Sequence, residues 1–347
     1  MQIIYKYEEL EEMMDNGKDI VFVDVRTERE YRKNTIPDAI SIPILEDEQY
    51  AEIGTLYKAG EIEQAKLQGI RYTSERLPEI YEKITSLVKE HDHVVLFCSR
   101  GGYRSSVIFN TLRSLSINVF KLDGGYKHYR RYINTRIPEL IENTDFIVLN
   151  GGTGSGKTEI LYHMEELGMN VLDLEKCANH RGSLLGHIGL GEIMSQKMFE
   201  SNIYHRLRLY EGSEVFVEGE SKRIGRVFLP GKMKEKMNEG VQLKITTPIK
   251  HRVDIIKREY VEPNTDKELK DGIWKLERYM SQENIEKYCN MIENGEYDEA
   301  IEGLITRYYD PKYNIRVECI KEFINNSSSV TAEEIKSWYE AEKNGKQ

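Results

Sequence analysis

The segment Gly151-Gly152-Thr153-Gly154-Ser155-Gly156-Lys157-Thr158 constrains this chain more than any other. It fills every position of the G-x-x-x-x-G-K-[ST] pattern, and an apolar run, residues 146–150, stands directly before it. Such a loop works only when a buried strand leads in and a helix leads out, so that backbone N–H groups converge on one phosphate at a helix N-terminus. The spacing therefore predicts a strand over 146–150, a phosphate-cradling turn, and a helix opening near Lys157. N–H groups from Gly152 to Lys157 would wrap a phosphate, and Lys157 would reach a terminal phosphate. Thr158 would hold Mg²⁺ if a metal is used. Further strands at 170–174, 214–219 and 241–246, with helices between them, predict a mostly parallel sheet. The loop specifies pyrophosphate binding and leaves the reaction open. A carboxylate is expected at the end of a neighbouring strand: Glu218 stands in a Walker-B-like position, and Asp173 and Glu175 end the earlier strand. Each could position water or metal, or simply cap a helix or form a salt bridge.

A second α/β pattern precedes the first. Strands are predicted at 20–25, 93–97 and 118–122 and helical stretches around 28–31, 74–90 and 105–115, again implying a parallel sheet. The strand at 93–97 runs into Cys98-Ser99-Arg100-Gly101-Gly102-Tyr103-Arg104-Ser105. A loop between strand and helix turns several N–H groups inward, and the helix dipole adds partial positive charge. Gly101 and Gly102 let the backbone curl, while Arg100 and Arg104 bring full charges. Such a cradle lowers a thiol pKa and makes Cys98 a thiolate nucleophile. It would equally hold a persulfide or perselenide anion, or an oxyanion such as phosphate. A merely buried cysteine leaves the paired glycines and arginines without a role.

The remaining cysteines, Cys177, Cys289 and Cys319, lie far apart with no C-x-x-C pairing, which argues against a disulfide framework and a zinc site. No run of about 18 apolar residues exists, so no membrane span is expected. The first residues carry neither a basic nor an apolar signal region, so a cytoplasmic protein is expected. The net charge of −10 argues against a nucleic-acid partner when taken alone. The charge is uneven, however: basic clusters occur at Lys127, Arg130 and Arg131, at Lys222, Arg223 and Arg226, and at Lys250 and Arg252, and each could equally be a solvated face. Residues 1–138 read as one domain, 139–145 as a polar linker, and 146–264 as the phosphate-loop domain. Residues 265–347 read as a helical extension packed on it, without strand signal and with Trp274, Leu276, Tyr279 and Met280 as its apolar face.

Several segments carry family resemblances. Asp24-Val25-Arg26, Ile36-Pro37-Asp38-Ala39-Ile40, the Cys98 loop and Leu122-Asp123-Gly124-Gly125 resemble a rhodanese domain, in its usual order. Thr35 departs from the His common there, and Asp38 from the Gly. The combination with the P-loop resembles the tRNA 2-selenouridine synthase family over nearly the whole chain. That resemblance rests also on Gly54-Thr55-Leu56-Tyr57-Lys58, on Leu172-Asp173-Leu174-Glu175 running into Asn179-His180-Arg181-Gly182-Ser183, and on Val217-Glu218-Gly219-Glu220-Ser221. Ser99 departs from the Trp that often follows the cysteine. The expected fold is α/β: a rhodanese-like domain, then a P-loop NTPase-like domain with a helical C-terminal extension.

The resemblance implies a transferase acting on wobble 2-thiouridine of tRNA, with selenophosphate as selenium donor and geranyl diphosphate as a second substrate. A selenophosphate-producing enzyme would supply the donor, and no tightly bound cofactor is implied. On this reading the P-loop holds the geranyl diphosphate. The Cys98 loop, with Arg100 and Arg104, holds the selenophosphate oxyanion, and Cys98 either carries selenium or assists release of geranyl thiol. His180, Arg181 and Arg223 would contact tRNA or diphosphate. Competing readings are a C-x₅-R phosphatase built on Cys98 and Arg104, although Phe97 stands where such enzymes usually have His, a P-loop ATPase or kinase with a regulatory rhodanese module, and ATP-dependent sulfur transfer to tRNA.

Overall fold

The computed structural model describes residues 2–183, 185–261, 265–312 and 318–345. The chain divides into two compact units, Met1–Arg136 and Ile137–Gln347. In the first, strands β1 (Ile4–Tyr5), β2 (Ile20–Asp24), β3 (Ile40–Ser41), β4 (His93–Phe97) and β5 (Val119–Leu122) form an all-parallel sheet in the order β1-β5-β4-β2-β3. Central β4 is buried along Val94–Phe97, as a strand covered on both faces must be, which is why it reads as an unbroken apolar run. Parallel register sets Asp24 beside Phe97, at the edge where Cys98 leaves the sheet. Asp24 is buried and paired with Arg26 at 2.6 Å, and the Thr35 hydroxyl donates to it at 2.9 Å. Thr35 thus satisfies a lone pair that burial would otherwise leave costly. Asp38 takes a left-handed φ of 62°, the conformation that makes glycine usual at such a turn.

The second unit holds β6 (Asp145–Asn150), β7 (Val171–Leu172), β8 (Glu214–Glu218), a two-stranded antiparallel ribbon of β9 (Arg223–Ile224) and β10 (Val227–Phe228), then β11 (Val241–Thr246) and β12 (Lys321–Ile324). Its main sheet is parallel in the order β12-β11-β6-β8-β7. The chain leaves β6 to one side, towards β7 and β8, and returns to the other, with β11 and β12. The loop after β6 therefore opens at the switch point where such sheets bind ligands.

Three sequence expectations need correction. No linker occupies 139–145: one helix spans Gly125–Glu142 and β6 starts at Asp145. Pro138 suggested a break, but Ile137, Leu140 and Ile141 are buried at helical spacing, and that burial outweighs one missing N–H. The C-terminal region is mainly helical but contributes β12, whose parallel pairing runs from Leu243↔Lys321 to Thr246↔Ile324. An edge strand with only Phe323 buried carries almost no periodic signal. The buried stripe of the tail is Leu269, Ile273 and Leu276, spaced i, i+4 and i+7, while Trp274 and Tyr279 are exposed. No helix among the described residues is long and apolar enough to cross a membrane.

Candidate active site

Cys98 is buried where β4 meets the turn into the helix Tyr103–Ser114. The Ser105 hydroxyl donates to its Sγ at 3.2 Å, and the Gly102 carbonyl lies 4.0 Å from it. Burial alone would push the thiol up. The Ser105 hydroxyl and N–H, the Arg100 N–H and the charge of Arg104 outweigh it, so the thiol lies below its ordinary value. The turn is held by the first turn of the helix Gly125–Glu142: Tyr126 N–H donates to Cys98 O and Lys127 N–H to Ser99 O, both at 2.9 Å. Gly125 has φ +57°, and a Cβ there would stand 2.2 Å from Cys98 O, so only glycine permits this contact. Gly101, at φ +64°, is less tightly packed: a Cβ there would stand 3.1 Å from Gly124 N and 3.2 Å from Leu122 O.

A cavity of about 680 Å³ lies over the thiol, walled in part by Ile44, Tyr50, Ile53, Tyr57 and Val107. Ser99, Arg100, Gly102, Tyr103 and Arg104 line it, whereas Gly101 and Ser105 are not part of its lining. The two arginines differ. Arg100 is exposed. The Arg104 guanidinium is paired with Glu30 and stacked 4.5 Å from the Tyr50 ring centroid. Glu30, which sequence reasoning did not single out, already neutralises the arginine a C-x₅-R phosphatase needs for its substrate.

The phosphate loop follows β6 as its pattern requires, and the helix Lys157–Glu166 opens behind Gly156 at φ +80°. Lys157 Nζ folds back and donates to Gly151 O at 2.8 Å, a contact a phosphate oxygen would replace. Thr158 Oγ1 donates to Glu175 Oε2 at 3.0 Å, and Glu175 N–H donates to Glu218 Oε1 at 2.7 Å. The cleft around the loop, about 230 Å³, is lined from Thr153 to Thr158 and by Glu175, Arg181, Glu220 and Glu259. Burial first, then Glu220 and Asp173, push Glu175 up to about 8 against the pull of Lys157 and Thr158. Glu218 is fully buried behind it and held well above the carboxylate range by burial and by Asp173, Glu175 and Glu220. Among the described residues no group of three or more His, Cys, Asp or Glu side chains is placed to hold a metal. A Mg²⁺ here would rest on Thr158 and phosphate oxygens, the hard donors it favours.

The supporting candidates separate by position. Glu175 and Arg181 face the cleft. Asp173 caps the helix Leu174–Ala178, accepting from Lys176 N–H at 2.7 Å, and this cap ends the strand early. His180 is an interior residue: Cβ atoms at Gly186 or Gly225 would collide with its ring, and burial and His187 hold its pKa below the ordinary value. It is thus unavailable as a tRNA contact. Arg223 lies on the ribbon and donates to Gly225 O at 2.7 Å, outside the cleft.

Sequence reasoning missed two braces. Arg252, read as part of a basic surface cluster, donates to Thr153 O at 2.8 and 3.0 Å and pairs with Asp310 at 2.7 Å. Asn325, directly after β12, is fully buried and donates to Ser155 O at 2.9 Å, joined there by Thr247 Oγ1 at 2.8 Å. Only the fold brings residues 170 positions apart together, and no local signal marks them.

By geometry the first unit is a rhodanese-type domain with a single activated cysteine, and the second a P-loop phosphate-binding domain. Comparison with known proteins agrees: residues 6–132 match the rhodanese-like domain model, and residues 144–346 match the model described as the tRNA 2-selenouridine synthase AAA domain. The chain belongs to the tRNA 2-selenouridine synthase family. Among its relatives of that name, the protein from Marinobacter nauticus is 30% identical over 86% of this chain and 89% of its own length. The protein from a Sulfurovum species is 28% identical over 85% and 88%. That from Hydrogenovibrio crunogenus is 29% identical over 90% and 94%.

Proposed function

We propose that this chain is a tRNA-modifying transferase that converts wobble 2-thiouridine to 2-selenouridine in two steps, one for each unit. In the first, geranyl diphosphate lies with its diphosphate on the loop Gly151–Thr158. The thiocarbonyl sulfur attacks the allylic carbon, the C–O bond breaks, its electron pair leaves with diphosphate, and the base loses its N3 proton. Lys157 and the loop N–H groups stabilise the charge that grows on the leaving group. In the second step, selenium from selenophosphate replaces the S-geranyl group at C2. Geranyl thiol leaves, and water cleaves the Se–P bond to release phosphate. The low-pKa thiol of Cys98 serves this step, and Arg100 with the loop N–H groups receives the oxyanion. Cytoplasmic tRNA and a selenophosphate-producing enzyme are its partners.

The observation that carries this reading is the pairing, in one chain of this family, of an activated cysteine under a roomy cavity with a complete phosphate loop. The engagement of Arg104 by Glu30 disfavours the phosphatase alternative. The test is mass spectrometry of nucleosides from 2-thiouridine tRNA after incubation with pure protein. Geranyl diphosphate alone should yield S-geranyl-2-thiouridine, and addition of selenophosphate should yield 2-selenouridine. Unchanged nucleosides in both, with active controls, would refute the assignment and favour an ATPase or phosphatase role.

A further inference from the structure

The phosphate cleft continues into a second space. Thr153, Ser183, Ile256, Tyr260 and Tyr309 line both the cleft around the loop and an adjoining cavity of about 50 Å³. The junction is tight at the loop itself: a Cβ on Gly154 would stand 2.6 Å from Ile256 Cδ1. The missing side chain is thus what lets an aliphatic group lie against the phosphate cradle. Past the mouth, where Ser183 Oγ and the Tyr260 hydroxyl are 3.2 Å apart, the chemistry changes completely. The inner wall is aliphatic, with Leu185, Leu269, Ile273, Ala300, Leu304 and Ile305 among its members. The polar end of Tyr297, also on this wall, is tied to Asp266 at 2.7 Å.

This wall discriminates between ligands of a P-loop. A nucleotide base or ribose buried there would lose its hydrogen bonds to water and find none in return, at a cost that forbids binding. An apolar chain loses nothing. The space holds on the order of four water-sized spheres. That matches the branched end of an isoprenoid and excludes a purine. We infer that this cavity receives the distal end of the prenyl chain of the allylic diphosphate, with the rest of the chain crossing Ile256, Tyr260 and Tyr309 to reach the loop. The inference rests on the reading of the P-loop cleft as an allylic diphosphate site and adds its tail subsite, which sets chain length.

Two variants and one label test it. Ala300→Leu fills the cavity and Leu304→Ala deepens it. Transfer to 2-thiouridine tRNA is measured with dimethylallyl, geranyl and farnesyl diphosphate. Ala300→Leu should lower the geranyl-to-dimethylallyl ratio of kcat/KM by about tenfold or more, and Leu304→Ala should raise the farnesyl-to-geranyl ratio. Inhibition by inorganic pyrophosphate should persist in both, which shows that the loop is intact. Wild-type protein is also photolysed with geranyl diphosphate carrying a small diazirine at its far end. Label should fall in 269–273 and 300–305. Wild-type transfer with label only elsewhere, such as the cavity beside Cys98, or with unchanged ratios in folded variants, overturns the tail subsite but leaves the P-loop reading standing. Absence of transfer from all three diphosphates by wild-type protein overturns that reading itself.

Discussion

Replacing Ser105 by alanine should raise the pKa of Cys98 and slow its alkylation. The Ser105 hydroxyl donates to Sγ at 3.2 Å, and both residues are almost wholly buried. A hydrogen bond to a charged group is worth about 1.5–3 kcal/mol, and one pKa unit corresponds to about 1.4 kcal/mol. The lower end applies because the Ser105 and Arg100 N–H groups remain. Thiolate absorbance at 240 nm, followed against pH, reads the effect. The other three cysteines are all pushed upward, chiefly by burial, so the first step of the titration belongs to Cys98. The rate of alkylation by iodoacetamide, measured below that step, should fall about tenfold in Ser105→Ala. Because the folded thiol lies below its unfolded value, the stability it contributes is present above the unfolded pKa and is lost as pH falls through the folded one. The alanine variant should lose part of this contribution. An unchanged or lower thiol pKa in Ser105→Ala would refute the claim that this hydroxyl activates the cysteine.

Other outcomes follow from the same geometry. Cys98→Ser should abolish selenation while leaving S-geranyl formation near the wild-type level, as read by nucleoside mass spectrometry. Lys157→Ala should cut geranylation by about a hundredfold or more, as loss of a transition-state charge contact does; wild-type geranylation in that variant would mean the loop holds another ligand. Asn325→Ala removes the bond that braces Ser155 O and should cost about 2 kcal/mol, lowering the Tm of the second unit by roughly 4–8 °C in calorimetry. Glu175, held at about 8 in the fold, stays protonated where the unfolded chain is ionised, so its contribution is full at low pH and declines as pH rises towards 8. Glu175→Gln should flatten that decline in denaturant titrations, and an unaltered pH profile would place the carboxyl at its ordinary value.

The sequence by itself determined the two reactive loops and the strands that feed them. A phosphate loop is read from contiguous residues because its function lies in consecutive N–H groups, and the same holds for the turn from Cys98 to Ser105. Central strands such as β4 and β8 are legible because burial on both faces forces an apolar run. Tertiary structure alone decided which side chains reach these loops. Asn325 and Arg252 brace the phosphate turn from 170 and 99 positions away, and Glu30 claims Arg104 from 74 positions away. The same folding withdrew His180 into the interior and gave Asp173 a capping role. It also closed the sheet with β12, whose pattern is too polar to announce a strand. Contiguous backbone geometry is a local property of the chain. Desolvation and charge pairing between distant residues exist only once the fold has brought those residues together.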